Sequence, residues 1–130
     1  MVPNSLRKWF VVHFVADTIF AIPLLFAPVA FLTLLGWETV DPLTTRLVGA
    51  AMLAIGVESL LGRNAGVESF EGMLNLKLIW SGAASLGILV TIVTVGGPAV
   101  GWLFLALFVA FHLLWLYYRL RLRTAVKERT

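Results

Sequence analysis

Seven side chains that could bind a ligand or carry charge interrupt the apolar stretches of this chain. They are two histidines, two carboxylates, a lysine, an asparagine and a tryptophan: His13, Asp17, Glu58, Asn75, Lys77, Trp80 and His112. A charged group inside a bilayer is costly unless it is paired or hydrated, so such groups turn towards protein or water. We therefore treat all seven as candidate ligand- or ion-binding residues.

The sequence around these residues predicts helices that cross a membrane. Of the 130 residues, 60% are hydrophobic and only 13% are charged, with a mean hydropathy of +0.95. A soluble domain of this size buries only about 65% of its unfolded surface and could not hide so much apolar area. The prediction is an all-α, integral membrane four-helix up-down bundle, a single domain over residues 1–130, with transmembrane helices at about residues 9–35, 43–61, 74–95 and 99–118.

Prolines and short polar segments set the expected helix boundaries. Pro23 and Pro28 predict a kink or an early end in the first helix. Asp41 followed by Pro42 is typical of a helix start, with a capping residue before a proline.

Two further segments lie outside the predicted spans. Residues 62–73 are predicted to form a solvated loop, although Val67, Phe70 and Met73 recur every third residue and leave a short interfacial turn as an alternative. Residues 119–130 form a short basic C-terminal tail, for which we expect a helical extension. Its side chains Arg119, Arg121, Arg123 and Lys127 are expected to contact lipid headgroups.

The distribution of positive charge predicts the orientation in a cell membrane. Nine of the ten lysines and arginines belong to the N-terminus, to the segment between the second and third helices with its flank, or to the C-terminus, and only Arg46 lies on the other side. Both termini are therefore expected to be cytoplasmic. The basic C-terminus reads as a membrane contact, and no nucleic-acid partner is expected.

This orientation places the polar residues of the spans in the cytoplasmic half of the bilayer. At about 1.5 Å per residue, His13, Asp17, Glu58, Lys77 and His112 lie about 6 to 12 Å from the cytoplasmic ends of their helices. The expected pairs join Lys77 to Glu58 or Asp17, with Asn75 and the histidines completing the hydrogen bonds. Two interpretations stay open: a structural role, as interhelical pairing or as snorkelling to water, or a polar cavity for a ligand or ion.

The residue types limit the chemistry. The chain has no cysteine, and no phosphate-binding loop or known catalytic motif occurs, so no catalytic residues are predicted. Two histidines at similar depth allow a haem b held by His13 and His112, but no cofactor is predicted. No metal site is predicted either, since zinc would need carboxylates to complete its ligand set.

Small residues in the second and third helices predict close helix packing. They are Gly49, Ala50, Ala54 and Gly56, then Ser81, Ala84 and Ser85. Packing of the second helix on the third is the first interpretation, and contact between subunits of an oligomer is the alternative.

The stretches RLVGAAMLAIGVESLLGRN, from Arg46, and LNLKLIWSGAASLGILV, from Leu74, resemble those of small four-helix DoxX-like membrane proteins and related families of unknown function. Arg46, Gly49, Ala50, Gly56 and Ser59 carry the resemblance, which covers about residues 43–95. It implies a compact four-helix bundle. Some members of these families are associated with quinone-linked sulfur oxidation, but the chain offers no redox centre, so that activity is not carried over.

Three classes of function follow from these observations. The first is a non-enzymatic binding or accessory module, with a polar cavity for a hydrophobic ligand or for partner membrane subunits. The second is an ion, proton or small-molecule transport unit that acts as an oligomer through Asp17, Glu58 and Lys77. The third is a haem- or quinone-linked membrane redox protein.

Overall fold

A computed structural model describes residues 1–128 of the chain, and every regular element in them is helical. The elements are α1 (Asn4–Phe26), α2 (Pro28–Leu34), α3 (Pro42–Leu61), a 3₁₀ turn (Gly62–Asn64), α4 (Val67–Thr94) and α5 (Val100–Lys127). Four helical segments are long and apolar enough to cross a membrane: Asn4–Phe26, Pro42–Asn64, Val67–Thr94 and Val100–Lys127. The predictions of an all-α fold and of four spans are thus confirmed.

Residue contacts divide the chain into two compact units, each built on a helical hairpin. The first unit, Asn4–Asn64, pairs α1 and its short continuation α2 with α3. The second unit, Ala65–Thr130 with Met1–Pro3, pairs α4 with α5. Of the basic tail, Arg129 and Thr130 lie outside the described residues.

The first span is broken where the prolines predicted a kink. Ala27 leaves the helical region, with φ −139° and ψ 55°, and α2 begins at Pro28. Proline lacks the N–H that would continue the α1 ladder, so the break falls directly before it. The guanidinium of Arg46 donates from Nε to the Leu25 carbonyl at 3.1 Å, and so satisfies a backbone group in the last turn of α1.

Glycines of α3 let it approach α1 closely. A Cβ on Gly49 would lie 3.0 Å from Leu24 Cβ, and one on Gly56 would lie 2.8 Å from Asp17 Cβ. Seven residues separate these glycines, which is close to two helical turns, so both fall on one face. The partner of this glycine face is therefore the first helix, whereas the sequence had suggested the third. Ala50 and Ala54 are exposed instead.

The start of α3 follows the expected capping pattern. Asp41 accepts hydrogen bonds from the Thr44 hydroxyl at 2.7 Å, the Thr44 amide at 3.2 Å and the Leu43 amide at 3.4 Å. The bonds from Thr44, led by that of its hydroxyl, lower the pKa of the Asp41 carboxyl. A second arginine serves the other end of the hairpin, where Arg7 Nη1 donates to the Arg63 carbonyl at 2.7 Å.

The predicted loop at residues 62–73 is wrong for most of its length. Its first residues form the 3₁₀ turn, but α4 already begins at Val67. Phe70, Met73 and Leu74 are buried, and their spacing of three and four residues is that of one helical face. The recurrence seen in the sequence was therefore the start of the third span. At the other end of the second unit, α5 continues through Lys127, which confirms the helical extension as far as the structure describes it.

Candidate functional site

In the first hairpin, a histidine and an aspartate are buried side by side. His13 and Asp17, four residues apart on α1, are 5% and 6% exposed, and His13 Nδ1 lies 3.3 Å from Asp17 Oδ2. Residues at this spacing share one face of a helix. The sequence-predicted pair therefore lies together and inside the protein.

Ser59 of α3 completes this cluster and assigns the tautomer of His13. The Ser59 hydroxyl donates to the Ile55 carbonyl at 2.7 Å, and Ser59 Oγ lies 3.5 Å from His13 Nδ1. The hydrogen of the Ser59 hydroxyl is already donated to the Ile55 carbonyl, so Ser59 Oγ can only accept a hydrogen bond from His13. The Asp17 carboxylate also faces Nδ1. We therefore assign the imidazole hydrogen to Nδ1 from the hydrogen-bond network.

This cluster does not have the geometry of a catalytic triad. In a triad the carboxylate and the nucleophile lie on opposite nitrogens of the imidazole, so that one orients the ring and the other loses its proton to it. Here Asp17 and Ser59 face the same nitrogen, and the Ser59 hydroxyl points to a carbonyl. The arrangement holds an imidazole and a carboxylate in place rather than activating a serine.

Gly56 sets the position of Asp17. The missing side chain on α3 leaves the space that the Asp17 side chain occupies, since a Cβ there would also come within 3.4 Å of Oδ2. Thr18 is the next residue on α1, and its Oγ1 is buried and has no hydrogen-bond partner among residues 1–128.

The second hairpin holds its own histidine–serine pair. His112 Nδ1 on α5 lies 2.9 Å from Ser81 Oγ on α4, and the Ser81 hydroxyl donates to the Lys77 carbonyl at 2.7 Å. The same reasoning assigns the His112 hydrogen to Nδ1. Gly82 admits the ring, because a Cβ there would lie 3.2 Å from His112 Cε1. Each hairpin thus orients one imidazole with a serine from the facing helix.

Lys77 lies one turn from Ser81 and is 2% exposed. Its Nζ is 5.1 Å from the centre of the Trp115 ring, a distance at which the ring face attracts a cation. Trp115 is itself buried and stacks with Phe111, with ring centres 5.7 Å apart. Among the candidate binding residues, Lys77 is thus a buried lysine of the second unit that lies against an aromatic face.

The other three candidates are less enclosed. Trp80 is half-buried and meets Phe108 edge-on at 6.1 Å. Glu58 is exposed, whereas Asp17 and Lys77 are buried. Of the interpretations left open by the sequence, snorkelling to water fits an exposed carboxylate. Asn75 is also exposed, and its Oδ1 accepts from Arg119 Nε at 2.8 Å.

Sequence reasoning missed several partners of these residues. Ser59 carried the family resemblance and Ser81 was read as a packing residue, but neither was named as a partner of histidine. Glu71, assigned to the loop, forms an ion pair with Arg119 at 3.0 Å. The sequence held two signals for these partners. Ser59 and Ser81 are polar residues within apolar helices, and Glu71 lies four residues before Asn75 on the same helix.

Three comparisons with known proteins complete the description of the chain. No protein-family model matches it, and neither curated proteins nor solved structures give a match.

Proposed function

We propose that this chain is a non-enzymatic multi-pass membrane protein that binds a hydrophobic ligand or partner membrane subunits through buried polar residues. The observation that carries the proposal is the pair His13 and Asp17, buried in a span with Nδ1 and Oδ2 3.3 Å apart. Ionisable residues at membrane depth are expensive and usually mark a site. Ser59 and Gly56 hold the pair from the facing helix, which is the support expected of a site kept in one geometry.

Native mass spectrometry from mild detergent tests this proposal. Wild-type protein is expected to retain a stoichiometric additional mass, either a small molecule or a second protein chain. Asp17→Asn should lose most of that mass. Thr18→Val changes the neighbouring residue, whose buried hydroxyl has no hydrogen-bond partner in the described chain, and this variant should retain the mass. Wild-type protein that carries only detergent and bulk lipid, in a folded state by circular dichroism, would overturn the proposal.

Proton or ion translocation by an oligomer is the second candidate. Two titratable groups on one helix face, His13 and Asp17, are the kind of pair found in intramembrane proton relays. The test is flux of protons into proteoliposomes that contain a pH-sensitive dye. Flux that Asp17→Asn abolishes and Thr18→Val preserves favours translocation. Flux that is no greater than that of empty liposomes, for wild type and both variants, excludes it.

We also propose an orientation in the membrane, in which both termini and the connection around Asn64 face the cytoplasm. The charge distribution supports this orientation. Because the chain has no cysteine, single-cysteine variants give an unambiguous readout. In whole cells, a membrane-impermeant maleimide should label Thr39→Cys and Ala99→Cys but leave Ser5→Cys and Asn64→Cys unlabelled until the membrane is opened. The reverse pattern would invert the topology.

A further inference from the structure

The exposed C-terminal part of α5 changes from apolar to basic within a few residues. Leu113, Leu116 and Leu120 are exposed, as is Tyr117 beside them. Arg121 and Arg123 follow and are also exposed. Since α5 is long and apolar enough to span a bilayer, we expect the leucines to face acyl chains and the arginines to lie at the level of the headgroups.

The basic residues of this helix differ in whether the protein already neutralises them. Arg119 is held by two groups of α4, with Nη1 3.0 Å from Glu71 Oε1 and Nε 2.8 Å from Asn75 Oδ1. Arg121 and Arg123 form no ion pair with residues 1–128. The arginines predicted to contact headgroups therefore differ in role. Arg119 links α5 to α4, whereas the charges of Arg121 and Arg123 remain available to bind an anionic ligand.

Tyr117 shapes the same surface. Arg121 Nη1 donates to the Tyr117 hydroxyl at 3.4 Å, so the guanidinium folds back towards the apolar row one turn earlier. The Tyr117 hydroxyl and the Arg121 guanidinium thus lie at the end of a row of exposed leucines, and exposed Arg123 follows two residues later. Tyrosine is typical of the membrane interface, and guanidinium groups bind phosphate through paired hydrogen bonds.

We propose that Arg121, with Tyr117, binds the phosphate of an anionic phospholipid whose acyl chain lies along Leu113, Leu116 and Leu120, and that Arg123 adds positive charge at the same level. Two unneutralised arginines favour a lipid with net negative charge over a zwitterionic one. The apolar row that precedes them favours a membrane lipid over a soluble phosphate or an acidic protein segment. This inference stands on the second hairpin alone and is independent of the site at Asp17.

The test compares lipid retention by two variants that lose the same charge. Arg121→Gln with Arg123→Gln removes the proposed phosphate ligand and the charge beside it, and Lys8→Gln with Arg46→Gln removes two exposed cations of the first hairpin. Each protein is titrated with phosphatidylglycerol or phosphatidylcholine and examined by native mass spectrometry. All four substituted residues are exposed, and circular dichroism checks that helix content is unchanged.

We expect the arginine variant to bind phosphatidylglycerol about tenfold to thirtyfold more weakly than wild type, at about 1 kcal/mol for each charge near the surface. The control variant, whose cations lie outside the proposed site, should stay within about threefold of wild type, and phosphatidylcholine should bind equally weakly to all three proteins. An equal loss in both variants would mean unspecific electrostatic attraction and would overturn the proposal. Unchanged retention by the arginine variant, or competition by glycerol phosphate without acyl chains, would do the same.

Discussion

Asp17 of α1 packs directly over Gly56 of α3, where a Cβ would come within 2.8 Å of Asp17 Cβ. A span that must enclose a carboxylate has to provide room for it, and here the facing helix does so by omitting a side chain. The small residue that the sequence suggested for helix packing therefore also fixes the position of a candidate binding group.

Gly56→Ala should destabilise the first hairpin and displace Asp17. An added methyl group in a packed contact of this kind costs about 1–3 kcal/mol in the free energy of unfolding. Unfolding in detergent followed by circular dichroism measures the change. The control is Gly72→Ala in α4, where no atom lies within 4 Å of the new Cβ, and where alanine should be neutral or stabilising. Equal effects of the two substitutions would argue against close packing at Gly56.

Ser81→Ala should destabilise the second hairpin by about 1–3 kcal/mol, because it leaves His112 Nδ1–H without its acceptor. The control is Ser85→Ala, because the Ser85 hydroxyl donates to the Ser81 carbonyl of its own helix. A double-mutant cycle with His112→Ala measures the coupling energy. A coupling near zero would show that the two side chains do not interact in solution.

Thr18→Val should be neutral or slightly stabilising. The substitution replaces a buried hydroxyl that has no hydrogen-bond partner in residues 1–128 with a methyl group of similar size. The expected change in unfolding free energy is below about 1 kcal/mol, and its sign is favourable or zero. A clear loss of stability would mean that the hydroxyl is hydrogen-bonded in the membrane.

The Asp41 cap predicts a pH dependence at the start of α3. Its pKa is lowered in the folded protein, so the carboxylate stabilises the fold above its ordinary pKa of 3.8, and this contribution is lost as the pH falls through the lower folded value. Asn is also a good N-cap, so Asp41→Asn isolates the charge. The difference in melting temperature between wild type and variant should be constant between about pH 7 and about pH 5 and should shrink below about pH 4. A pH-independent difference would contradict the assignment.

The sequence predicted the four spans because apolar length is enough to identify a transmembrane helix. It misplaced the start of α4 because Gly66, Gly72 and two glutamates made Val67–Met73 look like a loop, while the buried face of Phe70 and Leu74 outweighs that composition. For the site, the i, i+4 spacing was enough to join His13 to Asp17. The partners Ser59 and Ser81 could not be chosen from spacing, since which serine faces a histidine depends on the rotation of two helices.

Binding at Asp17 is the central claim, and one titration tests it most directly. The molecule that folded wild-type protein releases on denaturation is added back to wild type, Asp17→Asn and Thr18→Val, and its affinity is measured by calorimetry. Loss of a charge-assisted hydrogen bond predicts binding to Asp17→Asn that is at least about tenfold weaker, with Thr18→Val unchanged. Equal affinity in all three proteins would contradict the account.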